Sequence, residues 1–122
     1  MTAIIRRFTR ADIDAGTGEE VAMNRKEHLL ICLSEECAEV AQRVSKALRF
    51  GLEEVQPEQH ETNADRIVEE LADLWAVTTL LEREGAFKAH GDRFLDLAER
   101  KKAKLAQFMK YAEECGTLES TS

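Results

Sequence analysis

Four acids stand in two matched pairs, Glu36 with Glu39 and Glu70 with Asp73, the members of each pair three residues apart. Both pairs lie inside stretches, 29–48 and 67–81, that otherwise carry the apolar period of a buried helix face. Side chains at i and i+3 share a helix face, with Cβ atoms about 5–6 Å apart. Each pair therefore makes a two-carboxylate claw. If the two helices run antiparallel, four carboxylates meet, and such a group does not stay ionised at close range without a cation. Oxygen ligands of this kind suit hard, multiply charged ions such as Mg2+, which commonly bridge to substrate phosphates. Mn2+ accepts the same ligands.

With 24 acids in the chain, one such pair would arise by chance on a solvated face. Three details set these two apart. Glu36 and Glu39 lie between Leu33 and Val40, beside Cys37 and Ala38, where a solvated face would be richer in lysine. Glu70 and Asp73 are set among Leu71, Ala72, Leu74 and Trp75. The pairs also fall on consecutive long helices joined by a loop, which makes antiparallel packing natural. Neighbouring Glu69 reads as a solvated acid.

The elements that must position these claws follow from period and punctuation. Asn24 followed by Glu27 resembles a capping box that opens a first long helix. Its apolar positions are Leu29, Leu30, Leu33, Cys37, Val40, Ala41, Val44 and Leu48, and Gly51 is a natural stop after Phe50. Residues 52–62 turn polar and contain Pro57, which predicts a loop with a short turn near Glu53. Thr62 or Asn63 caps a second helix that turns Ile67, Leu71, Leu74, Trp75, Thr78 and Leu81 inward and ends at Gly85. After a connection over 86–91, a third helix is expected over 92–114, with Phe94, Leu95, Leu97, Leu105, Phe108 and Met109 on its apolar side. Residues 1–22 read as an irregular N-terminal segment and 117–122 as a flexible tail.

This is the pattern of one all-α domain spanning 1–122, and a chain of 122 residues can bury roughly two-thirds of its unfolded surface. Six glycines and a single proline favour helices over a sheet. Three helices in one layer leave an apolar side uncovered, to which Trp75, Phe94 and Phe108 add. A homodimer or homotetramer completing a four-helix-bundle-like core would cover it. The formal charge of −7 argues against nucleic acid as a partner, because its binders present a basic patch. A polyanionic substrate remains compatible where metal ions intervene. No run approaches the roughly 20 apolar residues of a membrane span. The first residues carry Arg6 and Arg7 but no apolar stretch of secretory-signal length, so the expected compartment is the cytoplasm. Cys32, Cys37 and Cys115 form no CxxC and read as small buried hydrophobes rather than a disulfide or zinc set.

The ordered motifs also suggest a family. Ser34-Glu35-Glu36-Cys37-Ala38-Glu39-Val40, followed by Glu69-Glu70-Leu71-Ala72-Asp73-Leu74, resembles the EExxE…ExxD signature of the MazG-like all-α nucleoside triphosphate pyrophosphatases. The resemblance covers roughly 24–81 and, more faintly, the third helix. It implies that Glu36, Glu39, Glu70 and Asp73 hold Mg2+, that Glu36 or Glu39 activates a water, and that a nucleoside triphosphate is hydrolysed between its α- and β-phosphates. A triphosphate needs cationic contacts, for which Lys46, Lys101 and Lys104 are the candidates, with Arg43 and Arg66 one helical turn from acids of the claws. Phe50, at a helix end, is the candidate ring for stacking on the base. The chain departs from the family pattern in lacking the asparagine that often accompanies the third helix's basic stretch, and in the long loop containing Pro57 and His60. No ExxH spacing occurs, which counts against a ferritin-like di-iron centre.

Overall fold

In the computed structural model, which describes residues 22–121, regular structure is entirely helical: α1 (Arg25–Phe50), α2 (Asn63–Arg83) and α3 (Gly91–Glu114). The expected irregular segment 1–22 lies, apart from Ala22, outside the described residues. The chain divides into two compact units, the first running to Phe87 and the second from Lys88.

Each helix of the first unit starts where a side chain takes up an otherwise orphaned amide. Asn24 Oδ1 accepts from the Glu27 N–H at 2.8 Å. At α2 the cap is Thr62, with a full capping box: the Asp65 N–H donates to Thr62 Oγ1 (3.1 Å) and the Thr62 N–H to Asp65 Oδ2 (3.4 Å). α1 stops at Gly51, whose φ of +103° suits a residue without Cβ and whose N–H returns to the Ala47 carbonyl at 2.8 Å.

The helices of this pair run antiparallel, and contacts at both ends show it. Arg25 at the start of α1 bonds Glu84 just past the end of α2. At the other end Asn63, 1% exposed, donates from Nδ2 to the Gly51 carbonyl (2.8 Å) and to Glu54 Oε2 (2.7 Å). The Asn63 and Ala64 amides add bonds to the carbonyls of Glu54 and Leu52. The connecting loop is thereby tied to the first turn of α2. Its expected turn near Glu53 is closed by the Glu54 N–H on the Gly51 carbonyl (3.3 Å), and a second turn at Pro57 and Glu58 by the Gln59 N–H on the Gln56 carbonyl (3.0 Å).

The seam between α1 and α2 is narrow. Leu29, Ala47 and Leu81 are buried, with Leu33, Val40, Ile67, Leu74 and Thr78 half-buried around them. Several residues expected inside are not: Leu30, Cys37, Ala41, Val44 and Leu48 on α1, and Leu71 and Trp75 on α2, are exposed. Trp75 is 55% exposed and Leu48 83%. The reason is geometric, since a helix packed against one partner buries one stripe, and these residues occupy the neighbouring face. Cys37 and Cys115 are likewise exposed and Cys32 half-buried, and all three thiols are free, correcting the buried-cysteine expectation. In the second unit, α3 has no buried residue, and Phe94, Leu95, Leu97, Leu105, Phe108 and Met109 are exposed. Beyond it Thr117 and Leu118 bond back to the Ala112 carbonyl.

Replacing Asn63 by alanine removes the shorter of two bonds to the Gly51 carbonyl and the Asn63 bond to the Glu54 carboxylate. Asn63→Ala should lower unfolding free energy by about 2 kcal/mol, measured by urea titration of the circular dichroism signal.

Candidate metal centre

The α1 stripe that faces α2 contains Glu36, Val40, Arg43 and Ala47, and the α2 stripe that faces back contains Ile67, Glu70 and Leu74. Two carboxylates and a guanidinium thus share a seam with aliphatic neighbours. Glu36, Glu70 and Asp73 each place a carboxylate oxygen within 4.8 Å of the others. Glu36 and Glu70 are half-buried and Asp73 is exposed, so the trio opens on one side to solvent. Glu39, the fourth expected ligand, is exposed and meets Glu70 rather than the whole trio.

The electrostatic strain concentrates on Glu70. Its carboxyl is raised above the ordinary carboxylate range, first by a hydrogen bond shared with Glu39, then by desolvation, then by the charges of Glu39 and Asp73. A hydrogen bond between two carboxyl groups needs a proton, which is why it favours the neutral form. Arg43 acts in the opposite direction, with Nε 3.9 Å from Glu70 Oε1. That separation is an ion pair without a hydrogen bond.

Three atoms in this part of the seam are buried without any hydrogen-bond partner: Glu36 Oε2, Glu70 Oε2 and Arg43 Nη1. Buried polar atoms are nearly always paired, and leaving one unpaired costs about 1–3 kcal/mol. Clustered, unsatisfied carboxylate oxygens with one open side are the donor set a hard divalent cation takes. The residues present fit such an ion.

The remaining candidates fall on both units. Lys46 is half-buried on α1, two turns beyond Glu39. Lys101 and Lys104 are exposed on α3, where the Lys104 ammonium lies 6.0 Å from the centroid of the Phe108 ring. Phe50 is exposed, with the Arg49 guanidinium 4.9 Å from its ring centroid. Arg66 donates from Nη1 to Gln56 Oε1 at 2.8 Å and so braces the loop. Exposed Glu69 shares a hydrogen bond with Glu61, whose carboxyl it raises.

Two residues carry more of the site's structure than sequence reasoning gave them. Arg43 pairs with Glu70 inside the seam; its signal was a position four residues after Glu39, on the stripe 36–40–43–47. Asn63 was readable as a cap, but its double donation across the loop had no sequence signal. No family model, curated protein or solved structure matches the chain.

A carboxyl raised in the fold holds its proton more tightly folded than unfolded, so folding is favoured at low pH and stability falls as pH climbs through the raised value. In chelator, the melting midpoint should therefore decline as pH rises out of the carboxylate range. Glu39→Gln removes the chief cause, and should raise the midpoint at pH 7 and flatten that decline. Differential scanning calorimetry across pH 4–8 reads both.

Proposed function

We propose that the protein is a Mg2+-dependent nucleoside triphosphate pyrophosphohydrolase of the MazG-like kind, converting a (d)NTP and water to the monophosphate and pyrophosphate. The observation that carries the reading is the convergence of Glu36, Glu70 and Asp73 oxygens within 4.8 Å, with one buried oxygen of Glu36 and one of Glu70 lacking a hydrogen bond. The order and spacing of the acids, which resemble that family's signature, support it independently.

In this reading Glu36, Glu70 and Asp73 would hold the metal, and Glu39 lies beside them on the solvent side. Bound Mg2+ supplies charge neutralisation, in-line orientation of the phosphates and a more acidic water. Glu39 is the better base of the two candidates. Its carboxylate is exposed and stands outside the trio, so it takes the proton of the attacking water while Glu36 remains with the metal. Lys46, on the same unit as the trio, is the candidate contact for phosphate oxygens, and the Phe50 ring is the candidate for stacking on the base. Activity of this class, in the cytoplasm, would control or clean the nucleotide pool.

The subunit is proposed to act as a homodimer or homotetramer. The α1–α2 pair exposes Leu30, Val44 and Leu48 on one helix and Val68, Leu71 and Trp75 on the other. A second copy supplies a matching apolar face. That same exposure favours one alternative, a non-catalytic helical oligomerisation module whose acids only decorate a surface. A phosphoribosyl-ATP pyrophosphatase-type substrate is the alternative within the enzyme class. Among the described residues no helix is long and apolar enough to cross a membrane.

Incubation with a panel of canonical and modified (d)NTPs and phosphoribosyl-ATP, with and without Mg2+, should give monophosphate and pyrophosphate from at least one compound. Glu39→Gln and Asp73→Asn should reduce kcat by about 100-fold or more with circular dichroism unchanged. No turnover of any compound, with or without Mg2+, would leave the oligomerisation module. Light scattering should report a dimer or tetramer, and Leu71→Asp should shift that mass toward the monomer.

A further inference from the structure

We infer that Arg43 is the internal counter-ion of the carboxylate cluster, a positioning residue that holds Glu70 in the seam without metal and competes with a divalent cation for it. The inference rests on reading the cluster as a cation site. It adds a role for a residue that is neither a ligand nor a phosphate contact in that reading.

Three observations carry it. Arg43 and Glu70 are the partly buried ion pair of the seam, their side chains 19% and 17% exposed. Their separation of 3.9 Å is too long for a hydrogen bond, so the pair interacts through charge and lacks the directional bonds that would lock it. Each partner also keeps a buried atom without any hydrogen bond, Nη1 on the arginine and Oε2 on the glutamate. A guanidinium offers five donors in a planar fork and ordinarily engages a carboxylate through two of them. Here it does not.

An under-bonded pair of this kind is easily exchanged. Glu70 has like charges on both sides, Glu39 and Asp73, and Arg43 is the cation that offsets them. Removing it should loosen the metal-free seam. A divalent ion at the trio would perform the same offset with twice the charge, and would sit in the field of the guanidinium. One positive charge beside another costs affinity, and at separations of several ångströms in a partly solvated site the cost is about tenfold. Arg43 thus has opposite effects on the two states, stabilising the metal-free fold and weakening metal binding. A residue whose role is packing alone would not produce that pair of signs.

The test uses the whole chain, with Mn2+ as the probe. Free Mn2+ is followed by electron paramagnetic resonance, and melting is measured in chelator. Arg43→Met keeps the aliphatic stem and removes the charge; it should melt lower than wild type in chelator and bind Mn2+ about tenfold more tightly. Arg43→Lys, which keeps the charge and is the milder change for folding, should stay within about twofold of wild type in Mn2+ affinity. In a Glu70→Gln background, Arg43→Met should lose its effect on metal-free melting. Unchanged or weaker Mn2+ binding by Arg43→Met, or tighter binding by Arg43→Lys, would overturn the counter-ion role while leaving the cation site standing. An equal melting loss in both backgrounds would assign Arg43 to packing. Absence of Mn2+ uptake by wild type would remove the cation site and this inference together.

Discussion

Like charge held against like charge inside an apolar seam is the constraint around which the first unit is built. Glu36 and Glu70 are drawn from facing helices into a partly dry environment, with Glu39 and Asp73 on their solvent side. Repulsion there opposes the approach of α1 to α2, and the charges of Glu39 and Asp73 add to the raising of the Glu70 carboxyl behind the Glu39 hydrogen bond and desolvation. Something must therefore keep the helices together despite their middle. The structure answers at the two ends. Leu81 is fully buried and Leu29 nearly so, and Arg25 reaches Glu84 nearby. At the opposite end, Ala47 packs closely and Asn63 fastens the loop. The exposed Arg25–Glu84 bond is worth little by itself; the buried leucines and the Asn63 bonds supply most of the closure.

That arrangement explains why the loop is ordered although it is polar and long. Between Gly51 and Thr62 the chain could have been a slack tether. Instead the Asn63 side chain donates to both Gly51 and Glu54, and Arg66 reaches Gln56. A slack connection would let α2 slide or rotate against α1. A rotation of one residue, 100°, would carry Glu70 and Asp73 away from Glu36 altogether. The clamp at the loop fixes the rotational setting on which the convergence of the acids depends. It acts two helical turns from Glu70, through the backbone of α2 and not through contact.

How much of this could be read from the residues depends on the kind of information. Helix existence and limits were legible because they rest on local chemistry: Asn24, Thr62 and Gly51 act on amides and dihedrals within a few residues of themselves. Glu36, Glu70 and Asp73 could be nominated because i, i+3 spacing on consecutive antiparallel helices sets acids side by side, but the same spacing also nominated Glu39, which lies outside the trio. Burial was not. Leu71, Trp75, Leu48 and Cys37 are apolar residues on the correct helices, but period alone does not say which of two adjacent apolar stripes faces the partner. Each helix here carries more apolar width than one neighbour can cover. The narrower stripe, containing the acids and Arg43, won the seam, and the wider one with Trp75 was left outside. Pairing of Arg43 with Glu70 was half legible, since the stripe was visible but the depth of the guanidinium was not.

The choice of stripe has a physical consequence that bears on function. Had Leu71 and Trp75 packed against α1, the pair would have a larger dry core, and the four acids would lie on solvated surface where water screens them from each other. Placing Glu36 and Glu70 in the seam gives up that core and brings the charges into a medium that screens them less. The proposed second copy would cover Trp75 and recover apolar burial without moving the acids. Charge cluster and exposed apolar face are thus two results of one rotational choice.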